Sequence, residues 1–208
     1  MSAEGHAMSA EAAAPATRRF SDTAIATPAN FVTVARLILA VPTLFLIVDQ
    51  GSSWLTVSLW FVLAVTDGLD GWLARRDGTT RSGAFLDPLA DKFLVLGGFV
   101  ALGINGDFSW AAVLIVAVRE AAVSVYRFVA GRRGISLPAR RLGKWKAFFQ
   151  FLAVGVVLLP PTYSWATFHD VLLWFTVALS VVSGLDIVVS GYRSSRQSKR
   201  QEQQAHAM

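Results

Sequence analysis

Four aspartates lie within 25 residues of a largely apolar chain, at spacings that suit the faces of helices. They are Asp67, Asp70, Asp87 and Asp91. Side chains three or four positions apart share a helix face, so each pair can present its carboxylates on one side. Ionised carboxylates in an apolar segment are costly unless something compensates them. Converging carboxylate oxygens suit hard divalent cations, and the sequence therefore predicts a Mg²⁺ or Mn²⁺ site.

Three small residues accompany these carboxylates. Gly71, Ala74 and Gly83 remove side-chain bulk beside them, which would let a flat nucleotide base and a diphosphate approach the helix backbone. The alternative is simple packing, because small residues allow membrane helices to come close together. The neighbouring aspartates favour the ligand-binding interpretation.

Composition indicates that the elements carrying these residues are membrane helices. Of the 208 residues, 54% are hydrophobic and only 16% are charged, which is unsuitable for the surface of a soluble domain. A helix needs roughly 20 mostly apolar residues to cross a bilayer. Six segments approach that length, and we expect an all-α integral membrane protein with six transmembrane helices, at about residues 31–48, 53–75, 84–104, 108–130, 145–162 and 168–190.

The basic residues predict the orientation of these helices. All nineteen Lys and Arg residues fall on one side of the predicted topology, and such residues mark cytoplasmic loops. Both termini should therefore be cytoplasmic, with a flexible tail at 1–29, a six-helix domain at 30–192 and a basic tail at 193–208. Because the positive charges lie between apolar runs, the net charge of +5 points to topology and substrate binding, with no nucleic acid as partner.

Other catalytic chemistries are disfavoured by the residues that the chain lacks. The sequence has no cysteine, which excludes disulfides, thiolate metal sites and a cysteine nucleophile. Its histidines, His6, His169 and His206, are remote in sequence from the aspartates, so a histidine-based mechanism or a zinc site is disfavoured.

The aspartate stretch resembles the signature of a known family. From Asp67 to Asp91 the sequence follows Asp-x2-Asp-Gly-x2-Ala-Arg-x7-Gly-x3-Asp-x3-Asp, which is similar to the motif of the CDP-alcohol phosphatidyltransferases. The resemblance implies that the four aspartates hold two metal ions and that Asp91 is also the general base. It implies a CDP-binding set comprising Asp67, Asp70, Gly71, Ala74, Arg75 and Gly83.

Further segments resemble the phosphatidylglycerophosphate synthase branch of that family. They are Asn30-x2-Thr33-x2-Arg36, Arg119-Glu120 with Arg127, and Lys144-Trp145-Lys146 with Gln150. The resemblance implies CDP-diacylglycerol and glycerol 3-phosphate as substrates, and an acceptor phosphate bound by Thr33, Arg36, Arg119, Arg127, Lys144 and Lys146. Ala147 and Phe128 depart from the usual pattern of the branch. Fixed cations are what a phosphorylated acceptor requires, and Glu120 is a candidate partner for Arg119 within the span.

Several alternatives remain open from the sequence. The acceptor could be phosphatidylglycerol, as in a cardiolipin synthase, or another alcohol such as an inositol phosphate. A cation transporter could use the same aspartates, and the chain could also be a catalytically inactive scaffold. Arg119 and Arg127 could form purely structural ion pairs. The resemblance further implies a homodimer among membrane lipids, in the plasma membrane, with the active site facing the cytoplasm.

Overall fold

A computed structural model describes residues 27–77, 81–132 and 141–206 of the chain, with the side chains of 29, 70–75, 77, 81–85, 87, 141 and 193–206 outside the description. The described residues form six α-helices and one short 3-10 helix at Pro160–Thr162. The α-helices are α1 at Pro28–Gln50, α2 at Trp54–Asp77, α3 at Arg81–Asn105, α4 at Trp110–Arg132, α5 at Arg141–Leu158 and α6 at Ala166–His206.

The first helix shows how local sequence sets its ends. The Thr27 hydroxyl accepts a hydrogen bond from the backbone N–H of Asn30 at 3.2 Å, and Pro28 occupies the first turn, where a missing N–H costs little. The helix ends at Gly51, whose φ of 61° is readily adopted only by glycine. The Gly51 N–H donates to the carbonyl of Ile47 at 2.9 Å.

The helices enclose one apolar core. α1 packs against α2 and α3, and α6 packs against α4 and α5. The core is built mainly of aliphatic and aromatic side chains, among them Ile47, Leu63, Phe99, Leu102, Val113, Val154 and Leu173. Trp60 of α2 joins the two groups of helices, because its indole N–H donates to the carbonyl of Phe151 on α5 at 3.1 Å.

α2 and α3 follow each other in the chain, but they are not each other's main packing partners. Among the described residues, each helix packs mainly on α1, and α2 and α3 share little direct contact. The indole of Trp60 occupies the space between them. A Cβ added to Gly98 of α3 would lie 2.7 Å from this ring, so glycine is needed there for the close approach.

Membrane-spanning character is clear for some of the helices. By length and composition, three described segments could cross a bilayer: Asn30–Gln50, Pro88–Asn105 and Ala166–Tyr192. Trp54–Leu69 of α2 is a shorter apolar stretch, whereas α4 and α5 carry charged residues within their lengths. These helices make the chain an integral membrane protein, and six complete spans with cytoplasmic termini remain a prediction.

Two predicted boundaries differ from the structure. The fifth segment ends as an α-helix at Leu158, because Pro160 and Pro161 follow and cannot continue its hydrogen bonding. The sixth helix continues to His206, well beyond the predicted end near residue 190. The polar residues after Tyr192 include no proline or glycine, so this segment has no helix-breaking residue. The N-terminal tail, up to residue 26, lies outside the described residues.

Neutral hydrogen bonds close the end of the bundle that carries few charges. The Asn105 amide donates to the carbonyl of Ile47 at 2.7 Å, and the Ser52 hydroxyl donates to the carbonyl of Leu158 at 3.2 Å. His169 Nε2 lies 3.2 Å from the hydroxyl of Thr162. These three contacts at the connections are therefore hydrogen bonds and not ion pairs.

Candidate active site

The described carboxylates of the aspartate motif lie near one end of the bundle. Asp67 is in the last half of α2 and Asp91 is in the first half of α3, and only three residues connect these two helices. The two carboxylates are close enough for their charges to repel each other. The side chains of the other members of the motif and of the predicted CDP-binding set lie outside the description: Asp70, Gly71, Ala74, Arg75, Gly83 and Asp87.

Arg36 of α1 contacts this carboxylate region directly. Its guanidinium forms an ion pair with the Asp67 carboxylate. Arg36 is almost completely buried and Thr33, one turn earlier, is fully buried. The sequence suggested both residues for the acceptor phosphate, whereas the structure places Arg36 on a carboxylate of the motif.

Asp91 is the point where this region meets a set of cations. Its carboxylate lies within electrostatic range of Arg36 and Lys146 as well as of Asp67 and Glu120. Asp91 also lines a polar pocket of about 310 Å³ between α3, α4, α5 and α6. A group bound in the pocket can therefore reach the Asp91 carboxylate.

The pocket is strongly cationic. Its charged lining residues are Asp91, Lys92, Arg119, Glu120, Arg127, Lys144 and Lys146. Five of these seven are cations, so the described lining carries an excess of positive charge. Four of the six residues that the sequence suggested for the acceptor phosphate thus lie together, and the other two, Thr33 and Arg36, do not line the pocket.

Glu120 ties two of the cations together. Its Oε1 accepts a hydrogen bond from Arg119 at 2.7 Å and forms an ion pair with Lys146 of α5. The expected Arg119–Glu120 pair is therefore present, although neighbouring residues point to different sides of a helix. The Glu120 side chain is only 7% exposed, and a buried carboxylate of this kind needs such partners.

Arg119 is also fastened to α6. Its Nε donates to the carbonyl of Ser180 at 2.8 Å, and its NH2 donates to the hydroxyl of Ser183 at 2.5 Å. A Cβ added to Gly184 would lie 3.0 Å from Arg119 Nε, so the missing side chain gives the guanidinium room. Arg119 is therefore held in one position by two helices.

Some pocket residues were missed by sequence reasoning. Lys92 donates a hydrogen bond to the hydroxyl of Ser124, and both residues line the pocket. Lys92 directly follows Asp91, and Ser124 is one helical turn after Glu120. Their spacing from these predicted or candidate residues could have identified both from the sequence. Ser183 and Gly184 could not be identified in this way, because their contact with Arg119 depends on how α4 packs on α6.

The donor atoms near Asp91 are carboxylate oxygens, which would suit a hard divalent cation better than a softer metal that prefers nitrogen or sulfur ligands. Within the described residues, no three His, Cys, Asp or Glu side chains form a group that could hold a metal ion. Of the four predicted ligands, only Asp67 and Asp91 have side chains among these described residues. The repulsion between these two carboxylates is what a divalent cation between them would relieve, and oxygen ligands of this kind favour Mg²⁺ or Mn²⁺.

Comparison with known proteins agrees with the motif. Residues 26–182 match the CDP-alcohol phosphatidyltransferase family. The chain is 36% identical over 176 residues to the probable phosphatidylglycerophosphate synthase of Mycobacterium tuberculosis H37Rv, covering 81% of this chain and 83% of that protein. It is 38% identical over 132 residues to the CDP-diacylglycerol–glycerol-3-phosphate 3-phosphatidyltransferase of Bacillus subtilis 168, covering 61% and 67%. The Haemophilus influenzae protein of that name is 36% identical over 136 residues, covering 62% and 73%.

Proposed function

The chain belongs to the CDP-alcohol phosphatidyltransferase family, and from that premise we propose that it transfers a phosphatidyl group from CDP-diacylglycerol to glycerol 3-phosphate. The products are phosphatidylglycerophosphate and CMP. The observation that supports a phosphate-bearing acceptor is the cationic pocket beside Asp91, which Lys92, Arg127 and Lys144 line next to the Glu120 network. Among such acceptors, the names of the relatives favour glycerol 3-phosphate. An acceptor with its own phosphate balances the positive excess, whereas an uncharged alcohol does not.

In this proposal the two substrates bind in separate regions. The acceptor phosphate occupies the pocket, with Lys144 and Lys146 of α5 and Arg127 of α4 as its cations. Its hydroxyl then points to Asp91, which also lines the pocket. The diphosphate of the donor belongs on the other side of Asp91, towards Asp67, and the family resemblance adds Arg75 to its ligands.

The reaction is a single displacement at phosphorus. The acceptor hydroxyl oxygen attacks the phosphorus that bears the diacylglycerol, the bond from that phosphorus to the CMP oxygen breaks, and CMP leaves. Asp91 accepts the hydroxyl proton, because an alcohol does not ionise by itself at neutral pH. Two Mg²⁺ or Mn²⁺ ions, held by Asp67, Asp70, Asp87 and Asp91, would neutralise the charge of the diphosphate and of the departing CMP. Retention of configuration at phosphorus would contradict a single displacement.

The position of Arg36 gives it a supporting role in this scheme. Its ion pair with Asp67 fixes one predicted metal ligand from α1. The buried Arg36 guanidinium also offsets part of the negative charge of the neighbouring aspartates. Arg36 therefore orients the carboxylate side of the site, and the acceptor phosphate depends on the cations of α4 and α5.

The same proposal fixes the orientation in the membrane. Asp91 and the pocket lie in the half of the bundle to which the sequence assigns the basic connections, and basic connections remain in the cytoplasm. The active site then faces the cytoplasm from the plasma membrane, with six spans and both termini on that side. Five charged residues of α4 and α5 line the pocket, which would allow these helices to cross the bilayer: Arg119, Glu120, Arg127, Lys144 and Lys146. A homodimer is the assembly that the family resemblance implies.

The decisive experiment is an assay of the purified protein with CDP-diacylglycerol and Mg²⁺ or Mn²⁺. Glycerol 3-phosphate, phosphatidylglycerol, inositol phosphate and glycerol compete as acceptors, and both CMP release and the lipid product are measured. We expect product from glycerol 3-phosphate, and loss of turnover after chelation of the metal. Product from phosphatidylglycerol instead would make the protein a cardiolipin synthase.

A further inference from the structure

An apolar groove of about 480 Å³ runs between α4 and α6. Its walls are aliphatic except at one place, where Arg119 contributes to the lining. Leu114 and Val118 of α4 and Leu185 of α6 are exposed along it. On helices that lie in a bilayer, such a groove is in contact with acyl chains, and its shape decides whether a chain binds there.

The groove adjoins the cationic pocket. Arg119 and Val123 line both of them, while Ile187 lines the pocket and its neighbour Val188 lines the groove. A single molecule with an anionic head and an acyl chain can therefore occupy both spaces at once. The second apolar groove, of about 230 Å³ between α1 and α3, has no charged residue in its lining.

The guanidinium at the junction is held ready for an anion. Three of its nitrogens donate to Ser180, Ser183 and Glu120, and a guanidinium has five N–H groups. At most two N–H groups are left for a ligand, but their position is fixed because α6 holds the side chain. A cation fixed in this way at the meeting point of an apolar and a polar space suits an anionic lipid.

We propose that the α4–α6 groove holds an acyl chain of the lipid product while the terminal phosphate of that lipid remains in the cationic pocket. This inference rests on the proposed function. Before the reaction, the acyl chains belong to the donor, whose diphosphate lies towards Asp67, and the acceptor phosphate belongs to a water-soluble molecule. Only the product joins the acceptor phosphate to acyl chains in one molecule, so the product is the one ligand of the reaction that can fill the groove and the pocket by itself. The product then leaves into the bilayer between α4 and α6.

Inhibition by added product tests this assignment. In the unaltered protein, phosphatidylglycerophosphate should inhibit competitively with glycerol 3-phosphate, because both place a phosphate in the pocket. Ala122→Phe fills the groove and should weaken this inhibition about tenfold, with KM for CDP-diacylglycerol unchanged. Val100→Phe, in the α1–α3 groove, is the matched control and should change neither. A higher KM for CDP-diacylglycerol with unchanged product inhibition would overturn the inference, since the groove would then hold the donor.

Direct binding provides a second readout that needs no turnover. Because the sequence has no cysteine, Val118→Cys and Val100→Cys each give one site for a spin label in the full-length protein. Phosphatidylglycerophosphate should immobilise the label at position 118 and not at 100, and glycerol 3-phosphate should reverse the effect. An equal immobilisation by phosphatidylcholine, or at both positions, contradicts the inference. So does an immobilisation at position 118 that arises only from contact between two copies of the chain. Selective binding in a protein without transferase activity would reject the proposed function and leave the groove assignment in place.

Discussion

The two ends of the helix bundle use polar residues in different ways. At the end that carries Asp91, buried charges meet around an open pocket, and Glu120 alone serves both Arg119 and Lys146. At the other end, neutral side chains such as Asn105 and Ser52 bond to backbone carbonyls across the connections. The difference shows that one end is arranged to bind charged molecules and the other to hold the helices together. Substitutions at the first end should therefore change kinetics, and those at the second should change only stability.

The largest effect is expected at Asp91. Asp91→Asn keeps the shape of the side chain but removes the proton acceptor, so turnover should fall by about 10³-fold or more. Helical content and the unfolding temperature in detergent should remain close to those of the unaltered protein. The measurement is CMP release under saturating substrates. Normal turnover would show that Asp91 is not the proton acceptor. It would also contradict the expectation that substitutions at this end of the bundle change kinetics.

A smaller but still large effect is expected on stability at Glu120. Glu120→Gln leaves Arg119 and Lys146 without their carboxylate, and breaking a buried pair in this way costs about 3–5 kcal/mol. Denaturant unfolding in micelles measures the change. The matched control is Asp49→Asn, an exposed carboxylate at the end of α1, which should alter the free energy of unfolding only slightly. Equal losses in the two variants would mean that the Glu120 network has no special structural role.

Lys144 should affect acceptor binding alone. Lys144→Ala removes one cation from the lining of the pocket, and we expect KM for glycerol 3-phosphate to rise about tenfold with little change in kcat. Arg132→Ala provides the control, because Arg132 is exposed and does not line the pocket. Steady-state kinetics with varied glycerol 3-phosphate separates the two quantities. An unchanged KM would place the acceptor phosphate elsewhere.

The smallest effect is expected at the neutral end. Asn105→Ala removes the hydrogen bond to the carbonyl of Ile47, which should cost about 1 kcal/mol of unfolding free energy. Both KM values and kcat should stay the same, as measured in the assay used for Lys144. A kinetic change in this variant would show that the two ends are coupled through the helices.

The sequence predicted the parts of this arrangement that depend on local spacing. Asp67 and Asp91 could be located from helix periodicity, and the basic residues of α4 and α5 could be grouped by their charge and by family resemblance. The partner of Arg36 could not be predicted, because it depends on how α1 packs on α2. The contact of the Trp60 indole with Gly98 of α3 is likewise a property of the packed bundle. Apart from the ends of the fifth and sixth helices, the predictions that failed or stayed incomplete thus concern tertiary contacts.

The sharing of Glu120 by two cations has a further consequence for the handling of the protein. Glu120 carries one negative charge for Arg119 and Lys146 together, and even with Asp91 it leaves the five cations of the described pocket lining in excess. By mass action, any anion that prefers the folded chain shifts the unfolding equilibrium in its favour. Inorganic phosphate in the purification buffer should therefore prolong the life of the purified protein.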